Sequence, residues 1–163
     1  MMQATDLRLT FNPGTPIENP ALRGINLNIA DGEFVTVIGT NGAGKSTFLN
    51  AVSGTTRVDS GSILLNGIDV TKKTAHQRAH WVARVFQDPM AGTCEALTIE
   101  ENMALAYKRG GKRGLSFALN QNNRDLFREK LSVLKLGLEN RLTDRMGLLS
   151  GGQRQAVSLL MAS

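Results

Sequence analysis

The sequence predicts an α/β fold, and three observations carry that reading. An apolar, β-branched run at residues 33–38 leads into a glycine-rich loop, which opens directly onto a helical pattern at residues 46–52. Before that unit, residues 4–11 and 22–29 alternate or cluster apolar side chains as strands do. After residue 90 the pattern changes to helical spacing and stays helical. The reading is therefore a β-rich first part with a loop-and-helix core (1–89), an all-helical insert (90–148), and a last helix opened by a glycine pair (149–163).

In chain order, residues 4–11 set Leu7, Leu9 and Phe11 against Arg8 and Thr10, a half-buried strand. Residues 12–20 hold three of the four prolines and form a loop. Leu22, Ile25, Leu27 and Ile29 mark a second strand, antiparallel to the first, and Asp31-Gly32 turns the chain into the 33–38 run, expected to be a buried strand. Gly54 closes the helix that follows. Residues 61–67 form a short strand leaving through Asn66-Gly67, and residues 68–70 continue the hairpin. A short helix is expected over 74–80 and a further apolar strand over 81–86, stopped at Pro89. Residues 97–106 form a helix with Thr98 and Glu101 as a capping box. Residues 123–135 form a second helix, with Leu126, Phe127, Leu131 and Leu134 on one face, and 138–144 a short third.

Composition narrows the class. With 163 residues, 41 % apolar and 20 % charged, one globular domain with a real core is expected. No apolar run approaches the roughly 20 residues of a membrane helix, and the first residues lack the apolar stretch of a signal peptide. The single cysteine, Cys94, excludes an internal disulfide and fits a reducing compartment, hence the cytosol. The net charge of +5 fits an anionic ligand, an anionic membrane surface or nucleic acid. The one basic cluster, residues 108–113, reads first as a solvated loop and second as a surface for lipid headgroups or a partner. No aromatics interleave it, so nucleic acid is not expected.

The chemistry sits in Gly39-Thr40-Asn41-Gly42-Ala43-Gly44-Lys45-Ser46-Thr47, which fits the phosphate-loop pattern. Its glycines allow a tight turn that gathers N–H groups around one anion. The helix start adds partial positive charge. Lys45 brings a point charge to the outer phosphates, and Ser46 a hydroxyl for Mg2+. Far downstream, Ser150-Gly151-Gly152-Gln153 opens a second apolar helix, with Ser150 as N-cap and uncovered glycine N–H groups.

Taken together, these motifs resemble the ATP-binding subunit of ABC transporters, over essentially the whole chain. The resemblance implies a RecA-like P-loop NTPase core with an N-terminal antiparallel β subdomain and an all-helical insert. It implies ATP and Mg2+ as ligands. It also implies Phe11 stacking on adenine, Gly39 to Thr47 around the phosphates, Ser46 on Mg2+, and Gln87 touching Mg2+ and the attacking water. Ser150, Gly151, Gly152 and Gln153 would meet ATP held by a second copy in a head-to-tail dimer. Permease subunits and a substrate-binding protein are the implied partners, with the protein peripheral on the inner face of the membrane. The family's Walker B strand, D-loop and switch histidine follow the LSGGQ motif, and none is found by Ser163. An ATPase domain incomplete at its C-terminus, with negligible turnover and exposed apolar surface, is therefore expected. His76 and His80 read as surface or core residues. Two other readings stay open: a soluble ABC ATPase acting on ribosomes or DNA, and a non-catalytic binding module.

Overall fold

The computed structural model describes residues 1–88, 90–111 and 119–163. The chain divides into two compact units, Met1–Val82 and Ala83–Ser163.

The first unit is built on a four-stranded sheet in the order β2-β1-β3-β4. Its strands are β1 (Met2–Phe11), β2 (Asn19–Ile29), β3 (Ser60–Leu65) and β4 (Ile68–Asp69). All pairings are antiparallel. Asn66 and Gly67 both take positive φ at the β3–β4 turn, the geometry that a two-residue hairpin loop requires. Helix α1 (Lys45–Ser53) lays Phe48 and Ala51 against Leu7, Leu9, Leu22, Ile63 and Leu65, which form the buried core of this unit. A four-residue helix, α2 (Ala75–Arg78), follows the sheet, with Thr74 as its N-cap.

Two expected strands do not form. Residues 33–38 belong to no sheet, and Phe34 and Ile38 stand 93 % and 89 % exposed. The run has the composition of a strand buried on both faces, but that state needs ladder partners and cover on each side. Among the described residues no strand pairs with it. Instead Val35, Val37 and Ile38 line an apolar groove of about 330 Å³ together with Leu22, Leu27 and Phe48. Residues 81–86 likewise form no strand.

The second unit holds α3 (Ile99–Tyr107), α4 (Gln121–Ser132) and α5 (Gly151–Ala162), with 3-10 turns at Leu138–Asn140 and Met146–Leu148. Ile99, Met103, Phe127, Leu131, Leu138, Met146 and Val157 are the heart of its core. Helix α4 starts earlier than its apolar pattern suggests, because Asn120 caps it by accepting from the Asn123 N–H. The expected helix over 138–144 shrinks to the first 3-10 turn. Arg124 of α4 grips the buried Glu100 of α3 through two hydrogen bonds, 2.8 and 3.1 Å. Asn102 is buried and ties down the turn before α3 through the N–H and carbonyl of Cys94 and the Thr98 carbonyl. In the basic run, Arg109 is drawn onto the Met161 and Ala162 carbonyls at the end of α5, so it is not simply solvated. Lys112 and Arg113 lie outside the described residues.

Helix α3 carries the expected capping box. The Glu101 N–H donates to the Thr98 hydroxyl, and Thr98 returns its N–H and hydroxyl to the Glu101 carboxylate at 2.7 and 2.8 Å. Those two donations, the backbone one foremost, hold the Glu101 carboxyl below its ordinary value of 4.5. A depressed folded pKa stabilises above the unfolded value, and that contribution is lost as pH falls through the folded pKa. Calorimetric unfolding between about pH 6 and about pH 3 is therefore expected to show a steeper loss of stability in the native protein than in Glu101→Gln, which keeps the acceptor and removes the titration.

Candidate functional site: a glycine loop at an uncapped helix start

The N-terminus of α1 differs from those of the other helices. Helices α2, α3, α4 and α5 each begin with a side-chain cap, from Thr74, Thr98, Asn120 and Ser150 respectively. Helix α1 begins at Gly44, which has no side chain to give and sits in the left-handed region at φ 85°. The first N–H groups of a helix have no partner within it. At α1 they are left to whatever binds there, with the positive end of the helix dipole behind them.

Gly44 is required here for two reasons. Its positive φ is strained for any L side chain, and a Cβ at this position would stand 2.5 Å from the Ala21 carbonyl oxygen of β2. The loop therefore leans on β2 through bare backbone. Gly42 also takes positive φ, at 82°, and turns the loop toward the helix. The Ala43 N–H donates to the Thr40 carbonyl, closing the turn.

Lys45 follows at the first helical position. Its Nζ donates to the Gly39 and Thr40 carbonyls, 2.7 Å each. The ammonium is thus bound over the mouth of the loop by the loop's own oxygens. Gly39, Thr40, Asn41, Gly42, Ala43 and Ser46 are all exposed, and Thr47 is half-buried. A polyphosphate can reach the loop, and a cation can reach the Ser46 hydroxyl. The donor set fits both: several unshared N–H groups, one mobile ammonium, and an exposed hydroxyl of the kind Mg2+ accepts. Phe11, in the same unit, ends β1 opposite Asn19 and leaves its ring 40 % exposed.

The other sequence-predicted residues lie in the second unit. Gln87 is exposed in a bend. Ser150 caps α5, and the two ends of its motif close on each other. The Gln153 N–H donates to the Ser150 hydroxyl (3.3 Å), and the Ser150 N–H donates to Gln153 Oε1 (3.2 Å). Gly151 and Gly152 are exposed, with open space where a Cβ would project. So α5, unlike α1, shields part of its helix start with its own side chains, and its glycines supply the uncovered part.

Two buried arginines went unread in the sequence. Arg154, one turn into α5, donates to the Glu95 carboxylate and to the Gly147 carbonyl, and so fixes the start of that helix. Arg78 fixes the far end of α1. Neither has a sequence signature, because their acceptors are mostly backbone carbonyls.

A glycine loop, an uncapped helix start and a lysine at its first position define the phosphate-loop class of nucleotide-binding proteins. Comparison places the chain within that class: residues 22–163 match the family model described as ABC transporter, and the chain belongs to that family. It is 41 % identical over 165 aligned residues to a tyrosine transport ATP-binding protein of Clostridioides difficile, covering all of this chain and 64 % of that one. It is 35 % identical to an energy-coupling factor transporter ATP-binding protein of Clostridium acetobutylicum, over 94 % of this chain and 52 % of the relative. Among solved structures it resembles a dimeric ATP-binding cassette in a post-hydrolysis state bound to ADP and Pi, at TM-score 0.79 and 27 % identity. That match covers 99 % of this chain and 68 % of the cassette. The P-loop NTPase fold read from the sequence is thus the fold of its neighbours. The chain spans between half and two thirds of the length of these curated relatives.

Gly44→Ala is expected to destabilise the first unit by about 2 kcal/mol or more, through strained φ and the clash with the Ala21 carbonyl. Chemical denaturation checks this. An unchanged midpoint would mean that the loop does not rest on β2.

Proposed function

We propose that the chain is the nucleotide-engaging part of an ATP-binding subunit of an ABC transporter. The observation that carries this reading is the side-chain-free start of α1, with Lys45 held over the loop by the Gly39 and Thr40 carbonyls. An incoming triphosphate replaces those carbonyls as partner of the ammonium, while the loop N–H groups take the phosphate oxygens. Ser46 holds Mg2+, which when bound neutralises charge on the outer phosphates. Phe11 stacks on the adenine ring. Gln87 matches the family position that would contact the metal and the attacking water.

Ser150, Gly151, Gly152 and Gln153 face the ATP held by a second copy. The dimeric cassettes among the structural neighbours support that arrangement. The names of the relatives, a tyrosine transport ATP-binding protein and an energy-coupling factor transporter ATP-binding protein, support a role in transport, with separate permease subunits moving the solute. A substrate-binding protein is a further partner in this reading. Among the described residues no helix is long and apolar enough to cross a membrane, which is compatible with attachment through permease subunits. Choice of cargo falls to those partners.

Titration calorimetry with ATP and Mg2+ is expected to give saturable binding, weakened at least about tenfold by Lys45→Met, which removes the charge and keeps the stem. Equal affinity in the two proteins would contradict the reading. Steady-state turnover by the 163-residue chain is expected to be negligible. In-line attack also needs an acidic metal ligand and an acidic residue that activates the water, and neither role falls to a residue of 1–163. Turnover comparable to an intact family subunit would refute this part.

A further inference from the structure

The far end of α1 is held by a side chain that the phosphate reading leaves unused. Arg78 is 1 % exposed, the largest fully buried side chain among the described residues. Its Nη1 donates to the Ala51 and Val52 carbonyls at 2.6 and 2.8 Å, among the last carbonyls of α1. Its Nε donates to the Lys73 carbonyl at 2.9 Å and its Nη2 to the Thr71 carbonyl at 3.0 Å. A buried cation is costly unless its donors are satisfied. Here the satisfaction comes from backbone oxygens, two of them at the negative end of a helix dipole, and Asp69 acts on it only through space. Gly54, the C-cap of α1, admits the guanidinium: a Cβ there would lie 2.9 Å from the Arg78 Nε.

We propose that Arg78 is a positioning residue for the phosphate loop, acting through α1 from its opposite end. The inference rests on the reading of Gly39–Thr47 as a phosphate site. Helix α1 has nine residues and is about 13 Å long, short enough to move as one rigid piece. Its front end has no side-chain cap, and the 33–38 segment before the loop is in no sheet. Its placement therefore depends on the contact of Gly44 with Ala21 at the front, on Phe48 and Ala51 in the core, and on the fork of Arg78 at the back. The planar guanidinium holds two α1 carbonyls and two carbonyls of the 71–73 turn at once, so it sets both the slide and the roll of the helix. Its charge also offsets the negative end of the dipole, leaving the positive end less opposed where phosphates bind.

The test uses the whole 163-residue chain and two probes, ATP with Mg2+ and inorganic pyrophosphate, titrated well below the unfolding temperature of each variant. Arg78→Met is expected to weaken both probes about tenfold and by the same factor, since the effect lies at the phosphates. Arg78→Lys keeps the charge but not the fork, and is expected to recover part of the loss. Leu65→Ala, in the same core and remote in role, is expected to lower the unfolding temperature yet leave both affinities within about twofold. Should Arg78→Met fail to fold, Arg78→Lys carries the test, with a loss of about threefold expected. Native-like affinity in the folded Arg78 variants would overturn the inference, as would an equal loss in Leu65→Ala, which would reduce Arg78 to a general stabiliser. If the native chain binds neither probe, the phosphate reading itself fails and the inference falls with it, a result distinguishable because it precedes any substitution.

Discussion

The structure turns on a set of backbone donors that no side chain claims. At the start of α1 the chain places Gly44, a residue with nothing to offer, where the other four helices place Thr, Asn or Ser. A bare helix start is unfavourable to leave in isolation. It becomes useful when an anion of matching size arrives, because the donors are already gathered and need no reorganisation. Lys45 fits the same logic. Its contacts with the Gly39 and Thr40 carbonyls keep the ammonium near the mouth of the loop rather than loose in solvent.

Everything around this start serves to hold it. Gly44 presses backbone to backbone on Ala21 of β2. Phe48 and Ala51 key the helix into the core beneath the sheet. Arg78 closes the far end. The second unit solves a related problem differently. There Ser150 and Gln153 cap one another, Arg154 clamps the first turn of α5 to Glu95, and the paired glycines keep their N–H groups clear.

What the sequence made legible was local. The Thr98–Glu101 box, the Asn66-Gly67 hairpin turn and the helix after the glycine loop each follow from residues a few positions apart, and each forms. Residues 33–38 show the limit of that reasoning. Their composition describes a strand correctly as a preference, but strand formation is settled by partners far along the chain, and those described do not pair with it. The same holds for 81–86. Residue type alone does not fix the start of α4, because Asn120, Asn122 and Asn123 all qualify as caps, and only the donation of the Asn123 N–H to Asn120 Oδ1 distinguishes them. Nothing in the sequence marks Arg78. Its role comes from carbonyls on separate segments, which carry no identity that a pattern could reveal.

The central claim is that the amides of the glycine loop and first turn of α1 take up phosphate. Backbone amide resonances of the chain, followed by nuclear magnetic resonance as ATP and Mg2+ are added, test it most directly. The account predicts that the amides of Gly42, Gly44, Lys45 and Ser46 move together and saturate at one affinity, as donors do on capturing an anion. If those signals stay in place while others respond, nucleotide binds elsewhere and the account is wrong.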